Sequence, residues 1–135
     1  MSSKVWVNKY AKVSIIFFGL VMLVGCSGED NETECESDWS KCADNKELIN
    51  NYDGMSGAKA GCQIAAEKLA KYGDPEWDWS KFGKYYNGKE YVNTGKITIV
   101  DNRVKFQNGF GAMKKSTVEC RYDLKLEKVL NVDIK

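Results

Sequence analysis

"STVECRYDL", residues 116–124, alternates polar and apolar side chains from Thr117 onward. Val118, Cys120, Tyr122 and Leu124 share one face, opposite Thr117, Glu119, Arg121 and Asp123. A period of two marks a strand with one buried face and one wet one. A cysteine in the middle of the buried face asks what covers it.

The cover is "SGAKAGCQIAAEKLAKYGDP", residues 56–75. Ala58, Cys62, Ala65, Ala66 and Leu69 recur at the spacing of one helix face. Ser56 suits the start of that helix, Gly73 suits a left-handed end, and Pro75 forbids continuation. The face is made of small residues, so the helix can approach a sheet closely. A shorter helix is expected over residues 43–52. Further strands follow the same logic. "KITIV" (96–100) and "RVKFQ" (103–107) flank Asp101-Asn102, a pair suited to a two-residue hairpin loop. That hairpin would pair Ile99 with Val104 and Ile97 with Phe106. After a turn near Glu127, Leu130, Val132 and Ile134 alternate in a last strand. The fold class is therefore α+β: one main helix packed on an antiparallel meander sheet of about four strands.

The N-terminus has a different character. Lys4, Lys9 and Lys12 precede an uncharged run from Val13 to Gly25, thirteen residues long. That is short of the roughly 20 residues an α-helix needs to span a bilayer. The order basic, apolar, small is that of an export signal. Leu23-Val24-Gly25-Cys26 resembles the lipobox of bacterial lipoproteins. The resemblance implies a diacylglyceryl group on the Cys26 sulfur, cleavage just before it and acylation of the new amino terminus. Serine at position 27 implies, by the same resemblance, sorting to the outer membrane, facing the periplasm. The expected organisation is a signal peptide over 1–25, an acidic tether over 26–40 and a small α+β domain over 41–135. The tether includes "EDNETECESD" (29–38), with six acids and no base, and is expected to be extended. Residues 39–135 hold 17 basic and 13 acidic side chains.

Four cysteines follow Cys26, and in an exported chain they read as two disulfides with three connectivities. Placing Cys62 on the buried helix face and Cys120 on the buried strand face favours a Cys62–Cys120 bridge that clamps helix to sheet. Cys35 and Cys42 would then pair locally. The chain contains no histidine, which removes Ser-His and Cys-His catalysis and the commonest zinc ligand. Ser56-Gly57-Ala58-Lys59 has the S-x-x-K spacing of serine penicillin-binding enzymes, but the companion motifs are missing. Asp74, Glu76 and Asp78 alternate like a calcium loop, yet Trp79 and Tyr85 stand where that loop needs Gly and Glu. An enzyme, a metal and a cofactor are not expected.

Two stretches are candidate binding sites. In "QNGFGAMKKSTVEC" (107–120), glycines flank Phe110 and two lysines, Lys114 and Lys115, follow. It resembles the N-x-F-G-A turn and strand of small exported bacterial and phage domains, with Cys62, Asn108, Phe110, Gly111, Ala112 and Cys120 at matching positions. The resemblance spans roughly residues 58–134 and implies a fold without a defined activity. Phe110 either plugs the core from a tight turn or stands out as a contact. In "DPEWDWSKFGKYYNGKEY" (74–91), six aromatics fall within fifteen residues: Trp77, Trp79, Phe82, Tyr85, Tyr86 and Tyr91. Such density forms either a contact surface or a lid on the core. Trp77 and Trp79 point to opposite sides of an extended chain, so at most one belongs to the core. From residue 81 to 128 there are 11 basic and five acidic residues, a face suited to anionic partners.

Together these features describe a non-enzymatic lipoprotein, anchored in the bilayer by acylated Cys26 and binding an envelope protein or cell-wall component rather than nucleic acid. Exclusion of an envelope receptor or channel, of the prophage type, is one role; inhibition of a cell-wall lytic enzyme is the alternative.

Overall fold

The computed structural model describes residues 34–135. The lipobox, Cys26, the signal segment and the first part of the acidic stretch lie outside the described residues. The domain is α+β. Its elements run α1 (Glu34–Ser37), a 3-10 turn (Trp39–Lys41), α2 (Asn45–Asn51), α3 (Met55–Glu67), β1 (Lys84–Tyr85), α4 (Glu90–Thr94), β2 (Lys96–Asp101), β3 (Lys105–Gln107), β4 (Met113–Lys115), β5 (Val118–Asp123) and β6 (Lys128–Ile134). An antiparallel sheet has the order β1-β2-β5-β6, and β3 and β4 form a separate two-stranded sheet.

The strand at 118–123 lies inside the sheet, between β2 and β6. Val118, Cys120 and Tyr122 are buried, as is Leu124 just beyond the strand. Helix α3 covers this face with Ala58, Cys62 and Ala66, all at 0 % exposure. Gly61 sets the approach: a Cβ there would sit 3.4 Å from the Tyr122 ring and 3.6 Å from Val129. Cys62 and Cys120 are bonded with their Cα atoms 5.8 Å apart, and Cys35 and Cys42 with theirs 4.5 Å apart. Both pairs are buried.

The hairpin expected at Asp101-Asn102 is not formed. Ile97 and Ile99 instead face Tyr122 and Cys120 across the β2–β5 ladder, and residues 105–107 pair with 113–115. The meander is thus interrupted by an excursion into the second sheet, and the fourth strand of the main sheet is the short β1. The cause is the Asp101 side chain. Its Oδ1 accepts from the backbone N–H of Arg103 and Val104, and its Oδ2 accepts from the N–H of Phe82. An aspartate that turns its own backbone this way leads the chain out of the sheet rather than back along it.

Three further expectations are corrected. Leu130 was expected to alternate with Val132 and Ile134, but Arg121 pairs with Asn131 and Tyr122 with Val129, so Leu130 is an extra residue in a bulge and is 39 % exposed. Leu69 is 51 % exposed because α3 ends at Glu67 and tight turns follow, with Leu69 N–H donating to Ala66 and Ala70 N–H to Glu67. Ser56 does not cap α3: Gly54 occupies that position, and the Ser56 hydroxyl donates to the Asp53 carbonyl.

The acidic tether, expected to run extended to residue 40, is folded from Glu34 onward. Cys35 is 2 % exposed, Trp39 packs on the core, and the Asp53 N–H donates to the Glu36 carbonyl. The disulfide and the tryptophan outweigh the acidic composition, whose side chains simply point outward. Asp38 starts the 3-10 turn by accepting from both the hydroxyl and the amide of Ser40, which hold its carboxyl below the usual value.

The shorter helix at 43–52 is present as α2. Asp44 caps it by accepting from the Glu47 N–H, while Glu47 accepts in return from Ala43 N–H. Its Asn45 is fully buried and ties down a distant loop: Oδ1 accepts from Tyr91 N–H, and Nδ2 donates to the Tyr86 carbonyl. No buried side-chain polar atom among the described residues lacks a partner.

Candidate functional site

The two candidate stretches separate in the structure. The first forms the β3–β4 hairpin, in which Phe106 faces Lys114 and Lys105 faces Lys115. Asn108 builds its tip. The Asn108 side-chain oxygen accepts from the N–H of Phe110 and of Ala112, while its own N–H donates to the Ala112 carbonyl. Gly111 holds φ +83°, the left-handed conformation that glycine adopts without steric cost. The Gln107 amide closes the turn on the Gly111 carbonyl.

The result is a preorganised loop that lifts Phe110 out of the protein, at 99 % exposure. The core-plug reading of Phe110 is overturned. The plug is Phe82, at 0 % exposure, its ring centroid 5.5 Å from that of Trp77. Phe82 takes φ +53°, a conformation that non-glycine residues avoid. Its buried ring and its N–H bond to Asp101 hold it there.

Beside the hairpin tip, the Tyr72 ring lies against Gly109, at 3.4 Å from where a Cβ would be. A shallow apolar hollow of about 250 Å³ opens next to it, lined by Leu69, Tyr72, Phe106 and Ile134 among others. Leu69, Tyr72 and Phe110 thus give this end of the molecule an exposed apolar surface. Lys114 and Lys115 are exposed and form no ion pair with any described carboxylate, whereas Lys105 pairs with Glu76 at 3.3 Å. Sequence reasoning missed Tyr72 and assigned Leu69 to the core. Tyr72 precedes the Gly73 turn, the only signal that it lies off the helix.

The aromatic stretch 74–91 divides between core and surface. Trp77 is half-buried; its indole N–H donates to Glu67, and its ring lies 6.5 Å from that of Phe106. Tyr85 sits in β1 and packs on the core. Tyr91 is buried; its hydroxyl donates to the Thr98 carbonyl and accepts from Tyr86 N–H. Burial raises the Tyr91 phenol pKa despite these bonds. Trp79 and Tyr86 remain outside, at 91 % and 53 % exposure. Of the two tryptophans, Trp77 therefore belongs with the core and Trp79 does not. Trp79 adjoins Ser56, Lys59 and Gln63 of α3, whereas Phe110 lies by Tyr72, beyond the end of that helix. They do not form one continuous platform.

Replacing Phe110 by serine is expected to leave the unfolding free energy within about 0.5 kcal/mol of wild type. Denaturant unfolding of the purified full-length chain measures this. A loss well above 1 kcal/mol would mean that the ring packs in solution.

No family model, no curated protein and no solved structure matches this chain. Among the described residues no helix is long and apolar enough to cross a membrane, and no three His, Cys, Asp or Glu side chains converge as a metal site would require.

Proposed function

We propose that this chain is an acylated envelope protein whose folded domain is a non-catalytic binding module, and that the Phe110 hairpin is its contact for a protein partner. The observation that carries this reading is the construction of the hairpin tip. Asn108 spends its side-chain oxygen on two backbone amides to fix a turn whose central ring touches nothing. An exposed aromatic on a backbone already held in place loses little backbone entropy on binding, which suits a hot-spot anchor. Leu69 and Tyr72 extend the apolar area around it, and Lys114 and Lys115 supply a charged rim.

The anchor is Cys26, with removal of residues 1–25, on the strength of the Leu23-Val24-Gly25-Cys26 lipobox. Two acyl chains or more make attachment stable where one is marginal. Placed at the outer membrane and facing the periplasm, the module would occlude an envelope receptor or channel, as exclusion lipoproteins of prophages do. The projecting hairpin with its two free lysines also fits insertion into the acidic cleft of a lytic enzyme, which is the second reading.

Changing Cys26 to alanine is expected to leave residues 1–25 attached and to abolish acylation, both visible in the intact mass. An unchanged acylated mass would remove the anchor. A photo-crosslinking residue at position 110 in intact cells tests the contact. Reproducible capture of one envelope protein supports occlusion, and capture of a wall hydrolase supports the second reading. No adduct at 110, with adducts from a probe at Trp79, overturns the hairpin as the contact.

A further inference from the structure

Away from the tip that carries Phe110, the loop carrying Trp79 separates two adjoining hollows that share Ser80 and Gly83 in their walls, one of them reaching Lys115 at the base of the β3–β4 hairpin. One, of about 430 Å³, is lined by Lys84, Arg103 and Lys115; the other, of about 440 Å³, by Lys59, Lys81 and the Trp79 indole. Both volumes are in the range of small-ligand sites, roughly 300–1,000 Å³. Five cations line the pair of hollows against a single carboxylate, Asp101. That carboxylate is buried, and its oxygens accept three backbone N–H groups. Arg103 is held in place by Asp78 at 3.2 Å and the Ser80 carbonyl at 2.8 Å, and Lys81 by Gln63 at 2.9 Å. Lys59, Lys84 and Lys115 have no ion pair among the described residues. Trp79, at 91 % exposure, takes no part in the core.

We infer that this groove is a binding site for an acidic oligosaccharide. A bare indole face stacks on the C–H face of a sugar ring, and unpaired ammonium groups in a concavity recognise carboxylate or phosphate substituents on neighbouring rings. Other anionic partners fit less well. A bilayer surface is flat and would span the hollows without entering them. Single-stranded nucleic acid uses successive aromatic platforms along its backbone, whereas a single exposed ring stands in these two hollows. The inference does not depend on Phe110 or on the identity of any protein partner.

Isothermal titration of the full-length chain in detergent tests it, with hexagalacturonate as the probe. Binding is expected that weakens as salt is raised and is lost when the uronates are methyl-esterified. Trp79→Ala and the double change Lys84→Gln/Lys115→Gln should each weaken it about tenfold. Phe110→Ser should leave it unchanged. Absence of hexagalacturonate binding overturns the site, as does binding that survives both variants. Equal affinity for polyglutamate of matched charge overturns saccharide recognition. Tighter binding to oligo-dT, or to phosphatidylglycerol vesicles without saccharide binding, would reassign the groove to those ligands and overturn the proposal.

Discussion

Changing Asp101 to alanine is expected to lower stability by roughly 3–5 kcal/mol, a large part of the 5–15 kcal/mol typical of a domain. The residue is 2 % exposed and its carboxylate holds the N–H groups of Phe82, Arg103 and Val104. Alanine would leave the amides of Phe82 and Val104 buried without acceptors, at about 1–3 kcal/mol each, and would free the Phe82 backbone from its left-handed conformation. Asparagine separates the contributions. Its carbonyl oxygen can still serve Arg103 and Val104, but its amide cannot accept from Phe82, so about half the loss is expected. Urea unfolding of the three proteins measures the series. A loss under 1 kcal/mol for alanine would mean that these bonds do not organise the exit from β2.

The second large effect concerns the helix-to-sheet disulfide. The Cys62–Cys120 bridge spans 58 residues in sequence and the Cys35–Cys42 bridge spans seven. Loop-closure entropy gives roughly 4 kcal/mol for the first and roughly 2 kcal/mol for the second. Paired alanine substitution at Cys62 and Cys120 should therefore lower the melting temperature by roughly 20 °C, and substitution at Cys35 and Cys42 by about half as much. Both bridges are buried, so each leaves a cavity on removal, and the gap between the two double variants comes from loop length. Equal falls for the two double variants would show that the long bridge gives no advantage over the short one.

The sulfur pairing and the strand at 118–123 were legible because period-two and period-3.6 patterns report which face is buried. Asp101-Asn102 misled because the residue types that make a hairpin loop also make side-chain-to-backbone turns. Only the location of the Phe82 amide, 19 positions upstream, decides between them. Phe82 and Phe110 could not be ranked for a similar reason. Each sits in a glycine-containing loop, and what buries one ring is the tertiary placement of Trp77 and Asp101 rather than anything adjacent. Leu130 was misplaced by one position, since a bulge leaves apolar spacing nearly intact while shifting the register. Of the candidate site, the exposed residues Trp79, Tyr86 and Phe110 were all named from sequence, but their division between two places was not. The groove cations Lys59 and Arg103 carried no local signal, because they meet only through the fold.

The bulge at Leu130 has a further consequence for the outer rim of the main sheet. Strand β6 pairs on one side only, with β5. An uninterrupted seven-residue rim would offer a ladder of open amides and carbonyls to any neighbouring copy. The extra residue breaks the repeat midway, and Lys128, Asp133 and Lys135 place charges along what remains. A broken repeat and flanking charges are the features by which edge strands disfavour pairing with another chain.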